Sequence, residues 1–187
     1  DKVFWKDGDS ITGCYHNTRG LWSIAYHPGN NSLYVPFQDQ CLTMTANMKT
    51  KAGWGPRKGI IRPGSDPQKY MSIGKIDLAT GEMKVLYSQP QASSGSALVT
   101  AGDLMFWGDQ NRRFRAVDAD DAKVLWESRV GGPVVTSTIT YAVKGKQYVM
   151  IFTGEGQSVT AGPMLLTKDT MPKAVRGHNS VVVFALP

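Results

Sequence analysis

Asp77 and Asp118 lie 41 positions apart, and each stands at the same point of a similar segment. Ile76-Asp77-Leu78-Ala79-Thr80-Gly81-Glu82 fills the slot that Val117-Asp118-Ala119-Asp120-Asp121-Ala122-Lys123 fills one period later. Leu33-Tyr34-Val35, Met105-Phe106-Trp107 and Tyr148-Val149-Met150 are equivalent strand cores. A period of about 40 residues with about four strands per unit is β-propeller spacing. The clearest unit runs from Ser96 to Trp126, where short apolar runs are split by Ala101-Gly102-Asp103 and by Asp118-Ala119-Asp120-Asp121. Such runs between Gly and Asp clusters predict a tight antiparallel meander. A meander this short has open edges and must stack on its neighbours. Trp126, at the end of the unit, predicts an aromatic packed between adjacent units.

The rest of the chain fits an all-β class. Twenty Gly and ten Pro punctuate it, and no long helical periodicity appears. Trp22 to Tyr26 alternates, His27-Pro28-Gly29-Asn30-Asn31 is a turn, and Ser32 to Phe37 returns as a strand. The sequon Asn30-Asn31-Ser32 is explained by that turn. Residues 43–69 are polar, basic and rich in Gly and Pro, and read as a long loop leaving one end of the fold. Trp54 would be its anchor or part of a site mouth. Residues 154–179 read as a second such loop, and Ser180 to Leu186 as a last strand. The units are then 21–87, 96–130 and 134–187. Propellers close with about four to eight blades, so three cannot close alone. The chain is expected to be the end of a larger propeller, completed by another chain or fragment.

Charge and composition exclude little and suggest little. The formal charge is +6 and the pI about 9.3, which fits plain solubility or an acidic partner. Arg112-Arg113-Phe114-Arg115 is the densest basic run. Strand alternation sends Arg113 and Arg115 to one face and Phe114 to the other, so this reads as a solvated strand face and not a nucleic-acid site. No apolar run approaches the roughly 18 residues that span a bilayer, and Asp1-Lys2-Val3-Phe4 opens no signal-peptide pattern. Cys14 and Cys41 have no zinc spacing. They are either a disulfide pair from an oxidising compartment or two unrelated buried thiols. His16, His27 and His178 lack ligand spacing. Asp39 and Asp109 at strand ends have turn or capping roles, and Gly154-x-Gly156 has no following helix to bind phosphate.

With the strands placed, Ser96 to Trp126 and Ile139 to Val149 resemble the C-terminal part of quinoprotein alcohol dehydrogenases, the pyrroloquinoline quinone (PQQ) enzymes of the methanol and ethanol dehydrogenase type. Their blade motif appears as Ala116, Asp118, Lys123 and Trp126, with Ala122 where Gly is usual. Trp22 to Pro36 resembles the blade that follows the family's Gly-x-Asn-Trp segment, and the likeness runs from about Cys14 to Pro187. It implies three blades of an eight-bladed propeller around PQQ and calcium. It also implies periplasmic oxidation of an alcohol, with electrons passed to a cytochrome c or a quinone. A Cys14–Cys41 bridge is implied in the same way.

The site residues that the resemblance carries over are few. Trp22 would touch PQQ, and Leu21 stands where the family has Asn, leaving only backbone groups of Gly20 and Leu21 for that contact. The pocket tryptophans usual near Ser94 and near Gln157 to Thr160 are absent, which suggests a roomier pocket for a bulkier alcohol or a polyol. The catalytic aspartate and calcium ligands are expected on the missing N-terminal portion, so no Asp or Glu here is assigned as base. The alternative reading is a non-catalytic propeller scaffold that binds another protein.

Overall fold

A computed structural model describes residues 6–14, 23–51, 53–93, 95–134, 136–154 and 177–186. Trp22, Leu21, Gly20, Ser94, His16 and residues 155–176 therefore lie outside the described residues, as do the pocket positions Gln157 to Thr160. The side chain of Trp54 is likewise undescribed.

Three antiparallel sheets stack face to face. The first consists of β2 (Ala25–His27), β3 (Ser32–Gln38), β6 (Met71–Asp77) and β7 (Met83–Gln89), in that order. The second is β8 (Leu98–Val99), β9 (Leu104–Gly108), β10 (Arg113–Asp118) and β11 (Val124–Arg129). The third holds β12 (Ile139–Val143), β13 (Lys146–Thr153) and β14 (Ser180–Ala185). The predicted meander is the second sheet. A partial propeller is the architecture these sheets make.

The repeat has a local physical cause. Asp77 Oδ1 accepts the backbone N–H groups of Ala79 at 2.7 Å and Thr80 at 3.2 Å. Asp118 Oδ1 accepts those of Asp120 at 2.8 Å and Asp121 at 3.4 Å. Each aspartate closes the same turn on its own backbone. Gly81 follows in the first turn with φ 75°, and Ala122 takes the equivalent left-handed backbone with φ 60°. The outer strands then repeat as well. Lys84-Val85-Leu86-Tyr87 and Lys123-Val124-Leu125-Trp126 both carry a register shift at the same step, so Leu86 and Leu125 bulge.

Two cores lie between the three sheets. Tyr34, Met71 and Ile73 of the first sheet pack on Met105, Trp107 and Val117 of the second. The other face of the second sheet, with Phe106, Phe114 and Ala116, meets Val149 and Ile151 of the third. Trp126 packs edge-on to Phe184 at 4.9 Å and to Phe114 at 6.2 Å. The tryptophan that closes the repeat does bridge neighbouring sheets.

The two outermost faces are left open. Cross-strand register puts Tyr26, Leu33, Ile76 and Met83 on one face of the first sheet, with Val35 and Val85 beside them. Tyr26, Met83 and Val85 are exposed there. At the far end of the stack, Ile139, Tyr141, Phe152, Val181 and Val183 form a second exposed apolar face. Faces of this kind mark contact surfaces.

Residues 43–69 are not one long loop, which corrects the reading from composition. β4 (Gln40–Ala46) and β5 (Trp54–Ile61), inserted between β3 and β6, pair with each other, and β4 pairs on its other side with β1 (Ser10–Gly13) to make a small separate sheet. Gly, Pro and Lys residues in β5 and in the turn before it hide the β4–β5 hairpin, and the other partner of β4 lies far upstream in sequence. β1 and β4 run in register to Gly13↔Leu42, and the next pair outward is the Cys14–Cys41 disulfide. The bridge closes a loop over a sequence separation of 27, and loops of that length are stabilised by about 2–4 kcal/mol when cross-linked. Cys41→Ser is expected to lower the stability of the full-length protein by that amount, read from urea unfolding with the m-value fitted separately for each protein, since the uncrosslinked unfolded chain exposes more surface.

The insert is tied back to the first sheet at its root. Asp39 accepts Arg62 at 3.0 Å, and the Tyr70 hydroxyl donates to Gln40 Oε1 at 2.9 Å. Burial pushes the Tyr70 phenol above its ordinary range. The unfolded chain ionises there near pH ~10 while the folded chain keeps its proton. Stability therefore falls as pH rises above that point, by up to about 1.4 kcal/mol per pH unit. Tyr70→Phe should remove that share of the alkaline slope in urea melts between about pH 10 and 11.

Candidate functional site

β2, β8 and β12 are edge strands of their sheets, and they begin side by side. Ser23 stands two residues before β2, Ser96 two before β8 and Ser137 two before β12. The Ser23 N–H donates to Ser96 Oγ at 2.8 Å. Ser23 Oγ lies 3.4 Å from Ser137 Oγ, and Ser96 Oγ lies 3.5 Å from it. Backbone bonds run between the same segments: Ala97 N to Ser23 O at 3.3 Å, and Ser96 N to Thr136 O at 3.4 Å. One serine from each sheet thus meets at the point where the inner strands converge. Ser96 is buried, while Ser23 and Ser137 are exposed.

Sequence reasoning missed these three residues. Serine is common before strands, and only aligning the three units on their first strands reveals that the slot repeats.

The loop that carries Ser96 is held from beneath. Gln38, fully buried at the end of β3, donates through Nε2 to the Ser93 carbonyl. Ser93 Oγ donates to Gly108 O at 2.7 Å, and Gln110 N donates to Ala92 O at 3.1 Å. Gly95 lies so close to Gly108 that an added Cβ would sit 2.5 Å from its carbonyl oxygen. No side chain fits there without moving backbone.

Behind this loop sits a buried ion pair. Arg115 Nη1 donates to Asp109 Oδ2 at 3.0 Å, with both side chains almost wholly buried, and Arg115 Nε donates to Glu127 Oε2 at 2.7 Å. The guanidinium lies 4.7 Å from the centre of the Trp107 ring. Asp109 also accepts Arg113 N at 3.0 Å and Gln89 Nε2 at 3.3 Å, so it closes a turn and joins two sheets. The turn role expected for Asp109 is present. The solvated face expected for Arg113 and Arg115 is corrected: Arg113 is exposed, but Arg115 is buried on its carboxylates.

At the opposite end of the sheets His27 is buried in its turn. Its Nδ1 accepts Gly29 N at 3.0 Å, and its Nε2 lies 2.9 Å from Asp103 Oδ1. This histidine ties two turns together. Among the described residues no group of three His, Cys, Asp or Glu is placed to hold a metal ion.

Residues 25–149 match the model of the PQQ family described as glucose/ethanol/alcohol dehydrogenase, β-propeller domain. A 1-butanol dehydrogenase (cytochrome c) of Thauera butanivorans is 46% identical over 153 residues, covering 75% of this chain and 22% of the relative. A lanthanide-dependent methanol dehydrogenase of Methylorubrum extorquens is 30% identical over 146 residues, covering 74% of this chain and 24% of the relative. Among solved structures, a europium-containing methanol dehydrogenase superposes with TM-score 0.68 at 25% identity, over 88% of this chain and 32% of that one. The chain spans about a quarter of the length of the curated relatives it matches. The matched segment includes β2, β8 and β12, the three strands that meet at the serines.

Proposed function

Because this chain belongs to the PQQ β-propeller family of glucose, ethanol and alcohol dehydrogenases, we propose that its three sheets are neighbouring blades of an enzyme that oxidises an alcohol or polyol to an aldehyde or ketone. The convergence on one polar mouth of three inner strands that lie within the segment matching the family carries this reading. The two open apolar faces suit blades lying outside these 187 residues. They would come from the N-terminal part of the same propeller, as continuous chain or as a separate companion.

PQQ supplies the two-electron chemistry when bound, and the protein orients the reactants and excludes water. The described residues fit a wall of such a site. Serine hydroxyls can donate to ligand oxygens, and the narrow Gly95 approach keeps the wall close-packed. Trp22 and the backbone of Leu21 are proposed to face the cofactor; they precede Ser23 directly in sequence. Calcium, with ligands from outside this chain, completes the proposed site. The electron acceptor is proposed to be a cytochrome c or a quinone, and the location the bacterial periplasm. A net charge of +6 would help to steer an acidic acceptor.

The test is made on the full-length protein stripped of cofactor. Alcohol-dependent reduction of an artificial dye should appear only after PQQ is added together with calcium or a lanthanide. No reduction with either metal, across short alcohols and glycerol, would overturn the proposal.

A further inference from the structure

We propose that the inserted sheet of β1, β4 and β5 is the docking face for an acidic electron-accepting protein, which its lysines draw to the mouth of the propeller. This rests on the dehydrogenase reading and says which surface its partner occupies.

The first argument is where the charge sits. Residues 39–70, the whole insert, carry six of the chain's 21 basic residues and two of its 15 acidic ones. The stretch 6–14 that pairs with β4 adds Lys6, Asp7 and Asp9, which leaves the small sheet at a net +3. Less than a quarter of the chain thus holds half of its +6. Arg62 is held by Asp39. Lys49, Lys51, Lys58 and Lys69 are all exposed.

The second argument is placement. β3 runs from the His27 turn to Gln38, whose side chain bonds the loop that carries Ser96. Asp39 N donates to Tyr70 O at 2.8 Å across the root of the insert. The insert therefore leaves and re-enters the first sheet at the mouth end. The other end of the three sheets carries Asp77, Glu82, Asp103, Asp118, Asp120 and Asp121, roughly balanced by lysines. Electron transfer weakens steeply with distance, so an acceptor has to approach the end that opens onto the cofactor. That is the end with the positive excess, and a patch of one sign speeds the encounter with a partner of the other.

The make-up of the surface is the third argument. The turn between β4 and β5 is tightly bonded: Thr50 N donates to Asn47 O, Gly53 N to Thr50 O, and Lys49 N to Asn47 Oδ1, each at 3.1 Å. Met48 N donates to Asp7 Oδ1 at 2.8 Å, which fastens the tip to the stretch before β1. The Met48 side chain, 51% exposed, stands beside Lys49 and Lys51 at that tip. In the ladder Ser10, Thr12, Thr43, Thr45 and Lys58 share one face, a hydroxyl surface suited to a wet contact and not to a blade core. A small apolar point among charges, on a rigid platform, suits a partner that must leave after each delivery. Such encounters bury little area and rely on charge for speed.

The test uses the full-length enzyme loaded with PQQ and metal, with two cytochromes c of opposite net charge as probes. Lys49→Glu/Lys51→Glu/Lys58→Glu should lower kcat/KM for the acidic cytochrome about tenfold at low ionic strength, taken relative to alcohol-dependent dye reduction by the same protein. The difference should shrink in about 0.5 M salt, and the basic cytochrome should gain. The corresponding triple change to Gln should give a smaller loss in the same direction. Lys123→Glu/Lys144→Glu/Lys146→Glu, an equal charge change at the far end, should leave the ratio within about twofold. Equal effects from the two Glu triples, or none from either, would overturn the docking face. An unmoved ratio with loss of binding to phosphatidylglycerol vesicles would assign the sheet to a lipid surface, and an unmoved ratio with weakened PQQ binding would assign it to cofactor capture; either overturns the proposal. A wild type that reduces no dye sinks the dehydrogenase reading. Salt-sensitive binding of the acidic cytochrome to that same protein, lost in the insert variant, would still support the docking face.

Discussion

Asp109→Ala is expected to destabilise the full-length protein by about 3–5 kcal/mol, the cost of removing one partner from a buried ion pair. Both side chains of the Asp109–Arg115 pair are almost wholly excluded from water. Without the carboxylate, the guanidinium keeps only Glu127, which is about one-third exposed. Gln89 Nε2 and the Arg113 N–H lose an acceptor in the same step. Glu127→Ala should cost much less, about 1 kcal/mol or under, because solvent can replace a partly exposed acceptor. The double variant Asp109→Leu with Arg115→Met should recover most of the loss, since an apolar pair of similar volume carries no desolvation cost. Urea unfolding of the three proteins reads all three values. Equal effects from Asp109→Ala and Glu127→Ala would mean that the pair is not buried in the assembled protein.

Trp107→Ala is expected to cost a similar amount, about 3–5 kcal/mol, for a different reason. Trp107 is fully buried between the first and second sheets, with Tyr87 at 5.2 Å on one side and the Arg115 guanidinium on another. Truncation leaves a cavity between two sheets that meet chiefly through side chains. Among the described residues the indole Nε1 has no hydrogen-bond partner. Trp107→Phe therefore gives up packing volume and part of the cation–π contact but no hydrogen bond, and should cost less than half as much. A phenylalanine variant as unstable as the alanine one would show that the indole N–H has a partner in the complete ring.

Legibility in the sequence followed distance along the chain. Asp77 and Asp118 bond to backbone two and three residues away, so their turns could be found from spacing alone. The sheets those turns close could be read for the same reason. β4 and β5 could not, because Gly, Pro and Lys residues within β5 and in the turn before it mask their hairpin, and the other partner of β4, β1, lies some thirty residues upstream. Arg115 was misread because alternation says which face a side chain takes but not what waits there; here Asp109 and Glu127 wait on it. The serine slot needed all three sheets in place, since each serine alone is unremarkable in its own segment. The family likeness supplied the cofactor and the chemistry, and the physics of the residues supplied the stack and its axis.

The inserted sheet has a consequence for how such rings diversify. β3 stops at Gln38 and β6 resumes at Met71, directly opposite in the pleat, so everything between them enters and leaves through a single rung. The disulfide lies wholly within the small sheet and the segment that leads to it. It ties the insert to β1 and the segment upstream of the ring, and not to any blade strand. A lineage could lengthen, exchange or discard this cassette at the rim of the mouth, and alter what reaches the axis, while the blade beneath keeps every one of its ladder bonds.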